Sequence, residues 1–302
     1  MWQIAAPQIE VEETSLYDSR RTRSATKAHR CGFDLAFTLT ELLVVVAVIA
    51  VLAALLLPSF GRAKQNAEKA ACINNLRQLN LAWAMYAHDN NDWLVPNSPY
   101  TVLDAQGQAV NNPSWCPGDA RYGNRDGTNV AFILGNHAGS LGPYLRTWRV
   151  FKCPTDHSLT TLDDGKSYSR VRSYSMNSFM GYRGVTWSGA TMFIRTSDLG
   201  TGLRPRFAVF VDTHEDFLRT CMFWMGRDIG RELWENLPAS RHNGSGTYSY
   251  ADGAVEAYRW KDPLTRQPVR GIFRDSLWAT GSPDWRYMWE RMTKGTAAIG
   301  DP

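Results

Sequence analysis

The residue types best suited to chemistry cluster around one histidine in the last third of the chain. His242 is followed by nine residues and then by Asp252 and Gly253, and Asp212 and His214 lie upstream. Imidazole and carboxylate groups bind zinc, or calcium where oxygen ligands dominate. A structural role is the favoured interpretation, in which Asp252 begins a turn and His242 hydrogen-bonds the backbone. No cofactor is therefore expected, and bound zinc or calcium is the open alternative.

A catalytic role for the same residues is not expected. A serine hydrolase would use Ser240, His242 and Asp252, but the chain has no Gly-x-Ser-x-Gly nucleophile elbow. We therefore predict that the protein is not an enzyme and has no catalytic residues.

The cysteines offer a second kind of chemistry. Cys31 precedes the main apolar run, and four cysteines follow it: Cys72, Cys116, Cys153 and Cys221. None forms a C-x-x-C pair, so a zinc site is not indicated by their spacing. If this part of the chain is exported, disulfides can form, and four cysteines allow three pairings between which sequence does not choose. We expect at least one disulfide, with Cys72 the least suited because it falls on a predicted helix.

Composition limits the possible partners. The net charge is +4, 21% of residues are charged, and no basic stripe interleaved with aromatics is present, so a nucleic-acid partner is not expected. Six of the 12 tryptophans lie in the last third: Trp224, Trp234, Trp260, Trp278, Trp285 and Trp289. They are either a surface that stacks on a polysaccharide or, as is more usual for large aromatics, core residues.

The strongest element is an apolar segment near the N-terminus. Residues 1–36 are predicted to be a leader that ends in a basic cluster, and residues 37–57 form an apolar run about 30 Å long as a helix, enough to cross a bilayer. Basic residues before a span predict a cytoplasmic N-terminus and an exported C-terminal part. A secretory signal peptide or a plain signal anchor would not explain Glu41, because an ionisable residue inside a span is costly and usually functional.

The helix is predicted to continue beyond the membrane, over residues 58–90. Apolar residues recur there at spacings of three and four, as expected of one helical face that packs on a globular head: Ala63, Ala67, Ala70, Ile73, Leu76, Leu79 and Trp83. Pro58 is expected to bend the helix, since proline removes a backbone hydrogen bond.

Residues 91–302 are predicted to form the head. Strands are expected at 207–211 and 221–225, and the tail after Trp260 has helical character around 282–292 but no assigned element. Residues 247–260 predict a hairpin whose two turn residues, Asp252 and Gly253, both have positive φ, with one face buried and the other more polar. The fold class is thus α+β, a long N-terminal helix packed on an antiparallel sheet.

Residues 36–58 read AFTLTELLVVVAVIAVLAALLLP and closely resemble the cleavage and methylation segment of type IV prepilins and type II secretion pseudopilins. The resemblance implies that prepilin peptidase cuts between Ala36 and Phe37 and that the new amine of Phe37 is methylated. Glu41 and Pro58 then become mature residues five and 22, as in that family, whereas Ala36 replaces its usual glycine. The resemblance further implies that Glu41 pairs with the N-terminal amine of a neighbouring subunit during assembly.

The histidine motif is similar to the His-x9-Asp-Gly motif of a large group of prepilin-type proteins, as are the segments 74–79, 153–156 and 238–244. The two resemblances imply a pilin-like fold and a structural subunit of a pseudopilus or type IV pilus-like filament that serves secretion. The implied partners are prepilin peptidase, other pilin or pseudopilin subunits and the bacterial inner membrane, which the chain would cross once, with its head in the periplasm or at the cell surface. The alternative is a membrane-anchored module that binds polysaccharide.

Overall fold

The computed structural model describes residues 38–98, 102–103, 109–110, 114–135, 140–182, 192–200, 206–228 and 231–294. The leader predicted at 1–36 and the cleavage residues Ala36 and Phe37 lie outside the described residues. The chain divides into two compact units, one that ends at Leu55 and one that begins at Leu56.

The first element is a single long helix, as the sequence predicts. Helix α1 spans Leu39–Asp89, 51 residues, and continues without a break through Pro58. Its apolar part has a mean hydropathy of 3.0 over 18 residues with none of it buried, so by length and composition it could cross a membrane. The helix ends where Asn91 and Asp92 adopt left-handed backbone angles, with φ of 53° and 64°.

Within the described residues, twelve short strands and two further α-helices follow α1. The strands are β1 Val102–Leu103, β2 Ala109–Val110, β3 Leu159–Thr161, β4 Ser167–Ser169, β5 Tyr174–Asn177, β6 Ala208–Asp212, β7 Met222–Phe223, β8 Met225–Asp228, β9 Arg231–Trp234, β10 Ser245–Tyr250, β11 Val255–Arg259 and β12 Leu277–Trp278. The helices are α2 Ala131–Leu134 and α3 Pro283–Met292. The strand predicted at 207–211 is present. The single strand predicted at 221–225 is divided at Trp224 into β7 and β8, which belong to different sheets. Helix α3 forms in the tail, where the sequence showed helical character without an assigned element, and the fold class is α+β.

A five-stranded sheet forms the centre of the second unit, in the order β11-β10-β6-β5-β7. Its pairs are antiparallel except β5–β7, in which Met176 and Asn177 run parallel to Met222 and Phe223. The sheet is therefore mixed, which corrects the prediction of a purely antiparallel head. The β5–β7 pair joins segments more than 40 residues apart, and such long-range pairing leaves no local sequence pattern. A separate sheet has the order β12-β9-β8, and β1-β2 and β3-β4 form two ribbons.

Strand β10 is buried on both faces, contrary to the prediction of one polar face. On one face, two hydroxyl groups contact α1. The Thr247 hydroxyl lies 3.1 Å from Cys72 Sγ, and the Ser249 hydroxyl donates to Asn80 Oδ1 at 3.1 Å. Tyr248 faces the other way and hydrogen-bonds Tyr287 on α3. Small hydroxyl side chains on one face let the long helix approach closely, so β10 lies between two helices.

The buried face of α1 is shorter than the predicted stripe. Ala63, Ala67 and Ala70 are exposed, and the buried positions begin at Cys72 and run to Ala87. The buried stripe of the helix begins only at Cys72, so periodicity alone overestimated its length by about two turns.

The predicted hairpin is present with a different turn. Strands β10 and β11 pair from Ser245 with Arg259 to Ser249 with Val255. The Tyr250 amide donates to the Ala254 carbonyl at 2.8 Å, and the Gly253 amide donates to the Tyr250 carbonyl at 3.0 Å. Of the turn residues only Gly253 has a positive φ, +87°, so this is a three-residue loop with one left-handed position rather than the predicted two.

Candidate metal centre

Four segments of the second unit bring metal-binding side chains together. Cys72 comes from α1, Cys153 follows a 3-10 turn at Trp148–Phe151, Asp212 ends β6, and His242 lies just before β10. One ligand atom from each residue lies within 4.8 Å of the others, and all four residues are buried. We call these four residues the Cys₂AspHis cluster.

A tight turn positions His242. The His242 and Ser245 backbones exchange hydrogen bonds of 3.3 and 3.2 Å, and between them Asn243 and Gly244 have φ of 56° and 76°. Asn-Gly is the preferred pair for a type I′ turn, in which both central residues have positive φ. The turn holds His242 Nε2 3.3 Å from Cys153 Sγ.

Hydroxyl groups surround the two thiols. Cys72 Sγ lies 3.1 Å from both the Tyr174 hydroxyl and the Thr247 hydroxyl. Cys153 Sγ lies 3.1 Å from the Thr155 hydroxyl. Burial raises the pKa of Cys153 well above its ordinary value, so without a metal this thiol is neutral.

Asp212 is held from one side by a buried arginine. Arg241 Nη1 donates to Asp212 Oδ1, while its Nε donates to Glu215 Oε1 at 2.7 Å and its Nη2 lies 3.8 Å from Asp156 Oδ2. Burial alone would lower the pKa of Arg241, but Asp212, Glu215 and Asp156 together raise it well above its ordinary value. The second carboxylate oxygen, Asp212 Oδ2, is buried and has no hydrogen-bond partner in the described structure.

Two of the four candidate ligands named from the sequence are not part of the cluster. His214 uses both ring nitrogens on backbone groups: Nδ1 accepts from the Asp216 amide at 3.1 Å, and Nε2 lies 3.0 Å from the Gln267 carbonyl. Asp252 lies beyond the far end of β10 from His242, where it accepts from the Ala254 amide at 3.0 Å and pairs with Arg206 at 2.8 Å. The suggestion that Asp252 and His214 bind a metal together with His242 is therefore wrong for this cluster.

The separation of His242 from Asp252 also removes the hydrolase alternative. The two residues lie at opposite ends of a six-residue strand, which spans roughly 20 Å. A Ser240–His242–Asp252 triad does not form. Asp252 has the turn role that was favoured from sequence.

The cysteines do not form the disulfide that the sequence predicted. Cys72, Cys116, Cys153 and Cys221 are all free and buried, so the expected disulfide is not formed in this structure. Cys72, considered the least suited partner, in fact lies beside Cys153. Sequence reasoning missed both as ligands because no C-x-x-C spacing exists. One signal was available for Cys72. It lies four residues before Leu76, a spacing that places it on the same face of α1 and so toward the head.

A small cleft opens beside the cluster. Its volume is about 180 Å³, and Gln65, Lys69, Thr155 and Arg259 line it together with Arg241 and His242. The cleft gives a polar route from solvent to the edge of the imidazole.

At the start of α1, Glu41 has a local role. Its carboxylate accepts from the Thr38 amide at 2.9 Å, and its own amide donates to the Thr38 hydroxyl at 3.2 Å. This reciprocal arrangement is a capping box, which satisfies backbone donors at a helix start. Any role in assembly must therefore be separated from helix capping.

Comparison of the chain with protein-family models, with curated proteins and with solved structures gave no match.

Proposed function

We propose that the protein is a subunit of a type IV pilus-like or pseudopilus filament that serves secretion, processed between Ala36 and Phe37 and held in the membrane by residues 37–57. The observation that carries this proposal is the form of α1. One helix of 51 residues joins an apolar segment with no buried residue to a second part that forms a layer of the head. The resemblance of residues 36–58 to prepilins supports the same conclusion.

The exposed apolar segment needs an environment other than water. From Leu42 to Leu57 its large side chains are about half to two-thirds exposed, for example Leu43 at 64% and Leu57 at 70%. Lipid covers such a surface before assembly, and the matching helices of other subunits cover it within a filament. The same segment therefore serves both as anchor and as assembly surface.

A carboxylate at Glu41 has a natural partner in this setting. Cleavage before Phe37 creates a positive amine four residues away in sequence. An unpaired charge in a low-dielectric region is costly, whereas two opposite charges there stabilise each other when they are in contact. Pairing Glu41 with the amine of a neighbouring subunit therefore favours one alignment of the two helices over others.

The alternative of a polysaccharide-binding module has less support. Of the six C-terminal tryptophans, Trp234, Trp260, Trp285 and Trp289 are buried, and Trp278 is the exposed one at 49%. Four of the six therefore belong to the core and cannot stack on a sugar.

The first test is N-terminal sequencing of the membrane-extracted protein. The expected product begins at Phe37 and carries a methylated amine. A product that begins near residues 54–58, as ordinary signal peptidase would leave, contradicts the proposal.

The second test separates the charge of Glu41 from its capping role. Glu41→Gln keeps a side chain that completes the capping box but removes the charge, so we expect membrane insertion and far fewer cross-linked oligomers. Thr38→Val is the matched control, because it breaks the cap and keeps the charge, and we expect it to assemble. If Glu41→Gln assembles normally while Thr38→Val does not, Glu41 acts as a cap and the assembly role is wrong.

A further inference from the structure

We infer that the Cys₂AspHis cluster binds one zinc ion, coordinated by Cys72, Cys153, Asp212 and His242, which joins the long helix to the head. Cys72 and Cys153 were not among the metal ligands that the sequence suggested. The inference does not depend on filament assembly.

The geometry suits a tetrahedral ion. Zinc binds sulfur at about 2.3 Å and nitrogen or oxygen at about 2.0–2.2 Å, which puts neighbouring ligands roughly 3.3–3.8 Å apart. The Cys153 Sγ to His242 Nε2 distance is already 3.3 Å, and all four ligand atoms lie within 4.8 Å of one another. A contraction of no more than about 1.5 Å between any two ligand atoms completes the site.

A second observation independently points to a ligand. Asp212 is fully buried, and its Oδ1 is held by Arg241 whereas its Oδ2 has no hydrogen-bond partner. A buried carboxylate oxygen without a partner carries a large desolvation cost. A cation between the four side chains removes that cost.

The charge of the buried region is unchanged by zinc. Thiolates, not thiols, bind the metal, so Cys72 and Cys153 each release a proton. One Zn²⁺ replaces two protons, and the existing balance between Arg241 and Asp212 is preserved. The nearby hydroxyls of Tyr174 and Thr247, each 3.1 Å from Cys72 Sγ, are placed to donate to a thiolate.

The donor set selects the metal and its role. Calcium and magnesium require oxygen ligands, whereas two thiolates with one imidazole favour zinc. Four protein ligands and full burial leave no open position, which is typical of a structural rather than a catalytic site. The ion would cross-link α1, the loop at Cys153, the end of β6 and the turn before β10.

The test uses the full chain in detergent, purified through a tag without histidines and without chelator. We expect about one zinc per chain by plasma mass spectrometry, as for a single structural site. Cys153→Ala should lose the zinc, while Cys116→Ala, which removes an equally buried thiol outside the cluster, should keep it. Zinc retained by Cys153→Ala overturns the inference.

A readout on the wild-type chain covers the case in which Cys153→Ala does not fold. Cobalt exchanged into the wild-type and Cys116→Ala proteins should give the intense visible bands of a tetrahedral ion and thiolate charge-transfer absorption. A wild-type chain with no stoichiometric metal and no cobalt spectrum overturns the site. So does a Cys72–Cys153 disulfide, seen as a non-reduced mass lower by two hydrogens. Because these measurements use dispersed single chains, their failure leaves the assembly proposal untouched.

Discussion

The loss of Arg241 should strongly destabilise the head. Its guanidinium is buried among Asp212, Glu215 and Asp156, and its Nη2 also donates to the Thr213 carbonyl at 2.7 Å. In Arg241→Met the side chain keeps its approximate length and loses its charge. Buried carboxylates are then left without their counter-charge.

The expected cost follows from the contacts that break. Removing one partner of a buried ion pair costs about 3–5 kcal/mol, because the remaining charge has no compensation. For a domain of this size each kcal/mol lowers the melting temperature by about 2–4 °C, so Arg241→Met should melt roughly 6–20 °C below wild type.

The control is an arginine in an exposed pair. Arg219 lies 3.1 Å from Asp275, and the two side chains are 43% and 76% exposed. Exposed pairs contribute about 0–1 kcal/mol, so Arg219→Met should melt within a few degrees of wild type. The assay is tryptophan fluorescence on the detergent-solubilised chain with chelator present, so that bound metal does not contribute. If both variants melt alike, the buried network does not stabilise the head and the reasoning is refuted.

Two further predictions concern glycines and pH. Gly253→Ala should cost about 1 kcal/mol, since Gly253 has φ +87° and open space around it, whereas Gly181→Ala should cost above about 3 kcal/mol, because its Cβ would lie 1.9 Å from the Val95 carbonyl oxygen. Equal urea midpoints for the two variants would contradict this. Burial, followed by the charge of Asp275, raises the pKa of Glu235 in the folded state. The folded state therefore favours the protonated side chain. The stabilisation that this provides is fully present below the pKa of the unfolded chain and is lost as pH rises through the raised pKa. Glu235→Gln should therefore melt higher than wild type at about pH 7 and equally at about pH 4, and a gain that is the same at both values would be inconsistent with the raised pKa.

Elements with a local signal were predictable. The long helix follows from an apolar run that passes into a three-four spacing, and the β10–β11 hairpin follows from alternation around Asp252 and Gly253. Even there the turn type was wrong, because an Asp-Gly pair is compatible with several loop lengths. The predicted start of the buried stripe on α1 was also wrong, since the exposed alanines before Cys72 have the same periodicity.

The site could not be derived in the same way. Cys153 and His242 are 89 residues apart, and Cys72 meets Thr247 across 175 residues. The contact of Cys72 with Thr247 depends on the packing of α1 on β10, and the contact of Cys153 with His242 joins a loop to a turn. No spacing in the sequence encodes either contact. The His-x9-Asp spacing was misleading for a physical reason. It places the two residues at opposite ends of one strand, and only His242 enters the cluster.

The packing of the head also narrows how the chain can assemble. Both faces of β10 are covered by helices, and the edge strand β11 carries Glu256 and Arg259, charges that disfavour pairing with another sheet. Within the described residues, most exposed large apolar side chains lie between Leu39 and Phe60. Contiguous apolar surface of that extent marks a membrane or protein contact. The assembly proposed above would therefore use the first part of α1 rather than a strand edge.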